Sequence, residues 1–221
     1  MTIYGVGHST HTRAVFADLV RGIDILIDVR SHPTSRWEWW RKENIEHWLP
    51  ECGVDYLWMP ELGGWTARHY EWHHAAMAER GVDLAVYSQG AFPKQRIAAD
   101  IEPDPDRPSW TNQGLYDYAW YMSTEDFRFG IDRLAKYADE LQPNVAIMCC
   151  EALWWKCHRS MVADALNYRH GIDLQHIKPS RPKRVTTSRV ESHVAKIGNR
   201  IERYPAEVLE ALTVGRSVSA S

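Results

Sequence analysis

Val145-Ala-Ile-Met-Cys-Cys-Glu-Ala-Leu-Trp-Trp-Lys-Cys-His-Arg159 combines an apolar run with a loop rich in reactive side chains. The apolar run, residues 145–148, predicts a buried strand. The loop after it carries three thiols, a carboxylate, an imidazole, a guanidinium and two indoles, and helical spacing of apolar residues follows over residues 160–168. Strand, polar loop and helix in this order are typical of an open α/β sheet, which binds ligands at the carboxyl ends of its strands.

Other apolar runs predict further strands, and amphipathic patterns between them predict helices. The strand candidates are residues 3–6, 23–29, 54–59 and 174–177, and the helix candidates are residues 13–21, 42–51, 115–122, 125–141 and 205–212. Such alternation indicates a parallel sheet with helices on both faces. We therefore predict a Rossmann-like α/β fold with a mostly parallel sheet of about five strands. It would form one catalytic domain with a Trp-rich insertion and a basic C-terminal extension, over residues 1–178, 65–114 and 179–221 respectively.

The chain has 221 residues, enough for one domain with a sizeable core. It has no apolar segment of transmembrane length, and its first residues lack the basic stretch and apolar core of a secretion signal. Its four cysteines, three of them clustered, are not distributed like a disulfide framework. These features predict a cytoplasmic protein with reduced thiols and no membrane association.

The predicted topology brings the unusual residues together. Right-handed crossovers place the loop after each parallel strand at the same edge of the sheet. Those loops are Gly7-His-Ser-Thr10, Asp28-Val-Arg30, Glu61-Leu-Gly-Gly64 and residues 149–159. We therefore expect an active site at this edge.

The same motifs, in the same order, resemble the family known as domain of unknown function 488. The matching pieces are Gly7-His-Ser, Asp28-Val-Arg30 with Pro33, Ser35 and Arg36, then Tyr56, Pro60-Glu-Leu-Gly-Gly64, Tyr118, Tyr121-Met122, Met148-Cys with Glu151, and Cys157-His-Arg159 ahead of Ala163-Asp-Ala-Leu166. The resemblance implies a compact Rossmann-like α/β domain with enzymatic activity.

The chain departs from the family pattern at three places beside the expected site. Trp154-Trp155 stand where the family usually has a proline, and Trp37-Glu-Trp-Trp40 stand where it usually runs through Phe and Asn. The stretch over residues 65–114 is longer and more aromatic than usual. All three departures add indoles, which favours a larger and flatter ligand, such as a base that carries a sugar.

Asp28 and His8 are the first two catalytic candidates. Asp28 ends a predicted strand, where a carboxylate can deprotonate a water or stabilise a cationic transition state. Its alternative role is an ion pair with Arg30 or Arg36. His8 can act as an acid or a base, or can be an ordinary loop histidine.

Glu151 is the third catalytic candidate, because two acids at one edge can divide the roles of base and electrostatic stabiliser. Its alternative role is to cap a helix or to pair with Lys156 or Arg159. Cys157 precedes a predicted helix, which allows a reactive thiol or, with its neighbours, a zinc ligand. The ligand spacing matches no common zinc motif, so we predict neither a metal nor a cofactor and assign the thiols a structural role.

Substrate binding is assigned to the remaining polar and aromatic residues of these loops. Exposed indoles stack on flat ligands, and arginines and backbone N–H groups at a helix start bind anions. The predicted contacts are Ser9, Arg30, Arg36, Trp37, Trp40, Gly63, Gly64, Trp65, Tyr121, Trp154, Trp155, His158 and Arg159.

Basic residues concentrate near the C-terminus. Residues 178–203 hold eight Lys or Arg against two Glu, although the whole chain carries a net charge of −3. Such a segment is either a solvated surface or a contact for a polyanion. The predicted contacts with a nucleic-acid backbone, DNA rather than RNA, are Lys178, Arg181, Lys183, Arg184 and Arg189.

The function that uses all these groups is that of a DNA glycosylase, which flips out a modified base and hydrolyses its glycosidic bond. The predicted acids, the indoles of the loops and the basic extension together favour it. Because base-modified DNA occurs in bacteriophages, this function would suit antiviral defence. Two alternatives stay open. One is a Cys- or zinc-dependent enzyme centred on Cys157, and the other is a non-catalytic module that binds nucleic acid or nucleotides.

Overall fold

The computed structural model describes residues 2–64, 113–140, 144–179, 188–197 and 201–215. The predicted Trp-rich insertion lies outside the described residues as far as residue 112. In the part of the chain that the structure describes, no helix is long and apolar enough to cross a membrane.

A six-stranded sheet forms the centre of the fold. Its strands are β1 (Ile3–Gly7), β2 (Ile25–Asp28), β3 (Asp55–Trp58), β4 (Val145–Cys149), β5 (Leu174–Pro179) and β6 (Ser188–Ser192), in the spatial order β3-β2-β4-β1-β5-β6. The first five strands pair in parallel, and β6 pairs antiparallel with β5. The α/β, mostly parallel architecture predicted from the sequence is confirmed.

Helices cover both faces of the sheet. The described helices are α1 (Arg13–Leu19), α2 (Lys42–Trp48), α3 (Gln113–Tyr121), α4 (Glu125–Glu140), α5 (Arg159–His170), α6 (His193–Ile197) and α7 (Ala206–Thr213). Alternate residues of β2 face opposite sides: Leu26 packs with Phe16 and Ile45 of α1 and α2, whereas Ile27 lies in the core that includes Phe127 of α4 and Leu166 of α5. The alternation explains why the strand is apolar over residues 25–27.

The C-terminal segment adds to the same fold. Strand β6 extends the sheet, and Val208 and Leu212 of α7 are buried in the core that contains α5. Arg169 of α5 also donates to the carbonyl oxygens of Leu212 and Val214, both at 2.7 Å. These contacts anchor residues 201–215 on the domain.

Buried hydrogen bonds connect the C-terminal segment to α5 as well. The ring of His193 on α6 contacts two residues. Its Nε2 lies 2.7 Å from Oδ1 of Asp164, and its Nδ1 lies 3.0 Å from Nε2 of His176 on β5. Tyr204 donates its hydroxyl to the other oxygen of Asp164 at 2.7 Å. Sequence reasoning missed this chain of groups, because its members are widely separated along the sequence.

Candidate functional site

A pocket of about 370 Å³ lies at the carboxyl edge of the sheet. Its walls come from the loops after β2, β3 and β4 and from the start of α3, and its lining includes Arg30, His32, Gly63, Gly64, Tyr118, Cys149, Cys150, Glu151, Lys156, Cys157 and His158. The volume lies within the range of small-molecule sites. The predicted convergence of strand-end loops therefore produces a cavity that can hold a ligand.

Glycines allow these loops to approach one another closely. A Cβ atom on Gly7 would lie 1.9 Å from the carbonyl oxygen of Glu151, and one on Gly63 would lie 2.4 Å from the backbone of Ser31. Gly64 has a φ of +77°, which favours glycine, and its Cα faces the ring of Tyr118. The Gly-His-Ser and Leu-Gly-Gly motifs thus bring the pocket walls together through backbone contact.

Asp28 is fully buried and forms the ion pair that was its alternative role. Its carboxylate accepts from Nε of Arg30 at 2.8 Å, from Nη2 at 2.5 Å and from the Arg30 backbone N–H at 3.0 Å. Tyr56 donates its hydroxyl to the same carboxylate at 2.7 Å. Asp28 does not line the pocket, and its two oxygens are occupied by these donors. The structure therefore assigns it to holding Arg30 rather than to activating a water.

The ion pair also shifts the ionisation of its partners. Burial alone would lower the pKa of Arg30, but the adjacent Asp28 carboxylate raises it above its ordinary value. Burial and the same carboxylate raise the pKa of Tyr56. Arg30 is therefore a fixed cation and Tyr56 a fixed hydrogen-bond donor.

His8 lies beneath the loops rather than in the pocket. Its ring stacks on Trp40 with centroids 4.6 Å apart, its Nδ1 lies 3.0 Å from the carbonyl oxygen of Ser9, and its Nε2 lies 3.3 Å from Nη1 of Arg30. Because the guanidinium can only donate, Nε2 accepts and Nδ1–H donates to Ser9. Burial, and then Arg30, lower the pKa of His8 to about 4. His8 is therefore a neutral packing residue at pH 7.

Trp40 and Tyr121, both predicted to contact substrate, are buried instead. The short helix Glu38–Trp40 folds the indole of Trp40 into the core with Phe16, and its carbonyl oxygen accepts from Arg30 at 2.8 Å. The hydroxyl of Tyr121 donates to the carbonyl oxygen of Glu61 at 2.7 Å. Both residues support the loops from behind.

Glu151 is the acid that the pocket presents. It is exposed and lines the cavity, and among the described residues its carboxylate has no hydrogen-bond or ion-pair partner. Its backbone oxygen accepts from Nη2 of Arg159 at 3.1 Å. The side chain caps no helix, since α5 begins without a side-chain cap. Of the three predicted catalytic residues, Glu151 alone faces the cavity.

Three thiols and an imidazole form the wall next to Glu151. The sulfur atoms of Cys149 and Cys157 lie 2.7 Å apart, and Nδ1 of His158 lies 4.0 Å and 3.8 Å from them, respectively. Cys150 Sγ lies 4.0 Å from that of Cys149. From the sequence we predicted a structural role for these thiols. In the structure all three line the cavity.

Their environment alters the ionisation of this cluster. Burial alone would raise the pKa of Cys157, but a hydrogen bond with Cys149 and the nearby Arg159 lower it. Burial would lower the pKa of His158, but the Cys149 sulfur raises it. Both shifts favour a thiolate beside an imidazolium.

The indoles of the loops divide into buried and exposed members. Trp154 is buried, stacks on His176 at 4.2 Å and donates Nε1–H to Glu191 at 3.1 Å. Trp155 is 43% exposed, and the ammonium of Lys178 lies 5.3 Å from the centroid of its ring. Trp155 can therefore stack on a ligand, whereas Trp154 cannot.

A second exposed aromatic group lies after β2. Trp37 is 38% exposed and stacks on Trp39 with centroids 5.2 Å apart, while the guanidinium of Arg36 lies 5.3 Å over its ring. Trp65, also predicted to bind substrate, lies outside the described residues. Trp37 and Trp155 are thus partly exposed indoles on the loops after β2 and β4.

Ser9 and Arg159 brace the loops and do not line the pocket. Ser9 adopts a left-handed φ of +45° and donates its backbone N–H to the carbonyl oxygen of Cys150 at 2.9 Å. Arg159 is buried under the Glu151 loop, and its Nε and Nη1 have no hydrogen-bond partner among the described residues. Its predicted contact with an anion of the substrate is not available from this position.

The predicted phosphate-binding cations are only partly described. Lys178 forms an ion pair with Glu191, and Lys196 lies 3.5 Å from the same carboxylate. Arg181, Lys183, Arg184 and the side chain of Arg189 lie outside the described residues. Lys178 and Lys196 therefore share a single carboxylate, which offsets only one of their two positive charges.

Several pocket residues were not predicted from the sequence. His32, Thr34, Leu115 and Lys156 line the cavity without belonging to a recognisable chemical pattern. Tyr118 also lines it, and its hydroxyl donates to the carbonyl oxygen of Leu62 at 2.6 Å. Tyr118 could have been found, because it belongs to the motifs that carry the family resemblance.

The fold and the cavity define a class: a Rossmann-like α/β domain with a polar pocket at the carboxyl ends of its parallel strands. The family model described as domain of unknown function DUF488 matches residues 13–91 and 90–166. The chain belongs to this family, as the motifs indicated. Comparison with curated proteins and with solved structures found no match.

Proposed function

We propose that this chain is a DNA glycosylase, a hydrolase that excises a modified base by cleaving its N-glycosidic bond. The observation that carries the proposal is the position of Glu151, which lines one pocket with Lys156 and Tyr118 and whose carboxylate has no partner among the described residues. A carboxylate can stabilise the transition state of glycosidic-bond cleavage, and an aromatic side chain can stack on a flipped base.

The carboxylate of Glu151 performs the chemistry in this proposal. Cleavage of the glycosidic bond passes through a sugar with oxocarbenium character, which a carboxylate stabilises. The attacking water transfers its proton to Glu151 as the new C–O bond forms, and the base departs with the electrons of the broken C–N bond. Asp28 takes no direct part, because its oxygens are held by Arg30 and Tyr56. It keeps Arg30, which lines the pocket, in place.

In this proposal the exposed indoles stack on bases that flank the flipped nucleotide, because neither Trp37 nor Trp155 lines the pocket. Base–aromatic stacking contributes about 1–3 kcal/mol per base and tolerates different sequences. Arg36 lies over the ring of Trp37, so this pair can contact a base and an adjacent phosphate, whereas Lys178 beside Trp155 already pairs with Glu191. The additional indoles favour a bulky, sugar-bearing base. Such bases occur in bacteriophage DNA, so we include antiviral defence in the proposal.

The decisive experiment compares plain DNA with DNA that carries glycosylated bases. Released base is identified by mass spectrometry, and abasic sites are counted by strand cleavage in alkali. Glu151→Gln should lower the rate at least about 100-fold, as for other general acid–base groups. Glu43→Gln, on an exposed acid of α2, is the matched control and should leave the rate unchanged. Absence of base release, or full activity of Glu151→Gln, would contradict the proposal.

The thiol wall supports a second candidate, an enzyme in which Cys157 is the nucleophile. The close contact of Cys157 with Cys149 and His158 carries this alternative. A nucleophilic thiol would leave a covalent intermediate on Cys157, detectable by mass spectrometry of the denatured protein, and Cys157→Ser would abolish it. Normal turnover by a folded Cys157→Ser variant would exclude this chemistry.

A further inference from the structure

Three metal-ligating atoms converge on one wall of the pocket. Cys149 Sγ, Cys157 Sγ and His158 Nδ1 all lie within 4.8 Å of one another. Cys149 is the last residue of β4, and the other two directly precede α5, so regular elements hold both sides of the cluster. Thiolate sulfur and imidazole nitrogen are the ligands that Zn²⁺ prefers in proteins.

The orientation of His158 is that of a metal ligand. Its Nε2 lies 3.0 Å from the carbonyl oxygen of Val29, which can only accept a hydrogen bond. Nε2 therefore carries a proton, and when a bound metal displaces the second proton of the ring the lone pair of Nδ1 faces the two sulfurs. A backbone carbonyl that fixes the tautomer in this way commonly accompanies metal-binding histidines.

The two sulfur–nitrogen distances are close to those around a tetrahedral ion. With Zn–S of about 2.3 Å and Zn–N of about 2.0–2.1 Å, a sulfur and a nitrogen ligand lie about 3.6 Å apart. The observed separations of His158 Nδ1 from the two sulfurs are 3.8 and 4.0 Å. Two sulfur ligands of the same ion lie about 3.8 Å apart. The Cys149 and Cys157 sulfurs, now 2.7 Å apart, must separate by about 1 Å, a change within reach of side-chain rotation.

A disulfide does not account for this cluster. The S–S bond of a disulfide is about 2.0 Å long, and both cysteines are free thiols in the structure. A disulfide would also leave the His158 lone pair without a role. A divalent cation satisfies both sulfurs and the nitrogen at once, and two thiolates neutralise its charge.

We propose that Cys149, Cys157 and His158 bind one Zn²⁺ ion whose fourth coordination position opens into the pocket and holds a water. Zinc sites with three protein ligands keep such a position for catalysis. Glu151 follows Cys149 by two residues and lines the same pocket, so its carboxylate takes a proton from the bound water and leaves a zinc-bound hydroxide. Metal binding is independent of the bond that is cleaved, whereas the role of the hydroxide rests on the proposed function.

Metal binding is measured on the full chain without reference to activity. The protein is purified with a thiol reductant, stripped with a chelator and titrated separately with Zn²⁺ and Co²⁺. One ion should bind per chain. The cobalt form should show a sulfur-to-cobalt charge-transfer band and the intense d–d bands of four-coordinate cobalt. Zinc should raise the melting temperature, because it binds the native state. Absence of a charge-transfer band at saturating Co²⁺ would overturn the proposal.

Substitutions identify the ligands. Cys149→Ser, Cys157→Ser and His158→Gln should each weaken metal binding by more than about 100-fold, the upper end of the loss for outer-shell changes. Cys52→Ser, on an exposed thiol outside the cluster, is the control and should bind normally. If circular dichroism shows that a ligand variant is unfolded, the cobalt spectrum of the unchanged protein decides whether thiolate sulfur binds the metal. Normal metal binding by all three folded variants would place the ion elsewhere.

Two further outcomes separate this proposal from the proposed function. If the protein binds zinc through these residues but releases no base, the metal site is supported and the glycosylase activity is refuted. A protein that releases base equally well after metal removal refutes the role of the hydroxide. A Cys149–Cys157 disulfide in the protein as isolated, seen as an intact mass lower by two hydrogens before than after treatment with a reductant, would refute the metal site.

Discussion

Substitution of Asp28 should destabilise the fold rather than act only on chemistry. Asp28→Ala removes the acceptor for Nε and Nη2 of Arg30 and for the hydroxyl of Tyr56, and leaves a buried guanidinium with Trp40 and His8 as its remaining partners. Removing one member of a buried ion pair costs about 3–5 kcal/mol. Total stabilities are about 5–15 kcal/mol, so the variant should be close to the limit of folding.

Urea denaturation followed by circular dichroism measures this loss. At an m-value of about 2 kcal/mol per molar urea, a loss of 4 kcal/mol lowers the midpoint by about 2 M. Asp18→Ala is the matched control, because Asp18 pairs with Arg21 at 2.5 Å on the surface. Exposed pairs contribute about 0–1 kcal/mol, so this variant should unfold within about 0.5 M urea of the unchanged protein.

A double-mutant cycle tests the reasoning further. Asp28→Ala combined with Arg30→Ala removes both charges, so the double variant should lose less free energy of unfolding than the sum of the single changes. The interaction energy between the two substitutions should be near the upper end of the usual range of about 0.5–3 kcal/mol. A loss from Asp28→Ala no larger than that from Asp18→Ala would refute the structural role. Loss of base release by a stable Asp28→Asn variant would return Asp28 to the mechanism.

Three further outcomes are expected. Folding lowers the pKa of His8 to about 4, so the unfolded state binds the proton first as the pH falls. The free energy of unfolding should therefore decrease by about 3 kcal/mol between pH 6.5 and pH 4. His8→Gln should make the free energy of unfolding less dependent on pH in this range. Gly7→Ala should displace the Glu151 loop, cost about 1–3 kcal/mol in urea titrations and reduce base release. If the extension binds DNA, replacing Arg181, Lys183 and Arg184 with glutamine should make DNA affinity less dependent on salt. The slope of log affinity against log salt concentration, measured by fluorescence anisotropy, should fall by about 3.

Periodicity predicted the fold because burial on both sides of a parallel sheet requires apolar residues at every position. The runs that became β2 and β4 largely satisfy that requirement, whereas β5 satisfies it only in part, because it contains Gln175, His176 and Lys178. Strand β6 does not: its sequence, Ser-Arg-Val-Glu-Ser, has a single apolar residue, Val190, which is exposed. An edge strand of this kind is stabilised by backbone pairing with β5, which leaves no apolar pattern in the sequence.

The site was predicted as a location but not as a set of contacts. A strand-end position brings a residue to the edge of the sheet, yet the direction of its side chain depends on the packing around it. Asp28 turns toward Arg30 and Tyr56, and Trp40 turns into the core, whereas Cys149 turns toward the cavity. These directions follow from contacts between residues far apart in sequence, which composition and spacing do not contain.

The C-terminal segment shows how this difference changes an experiment. From charge alone, truncation after Pro179 would test whether the basic extension binds DNA. In the structure the same truncation removes β6 and α7, including the buried Val208 and Leu212, and breaks the hydrogen bond between His193 and Asp164. Loss of two large buried side chains costs several kcal/mol, so a truncated protein that fails to bind DNA would report unfolding. Only substitution of individual basic side chains separates the polyanion contact from the stability of the sheet.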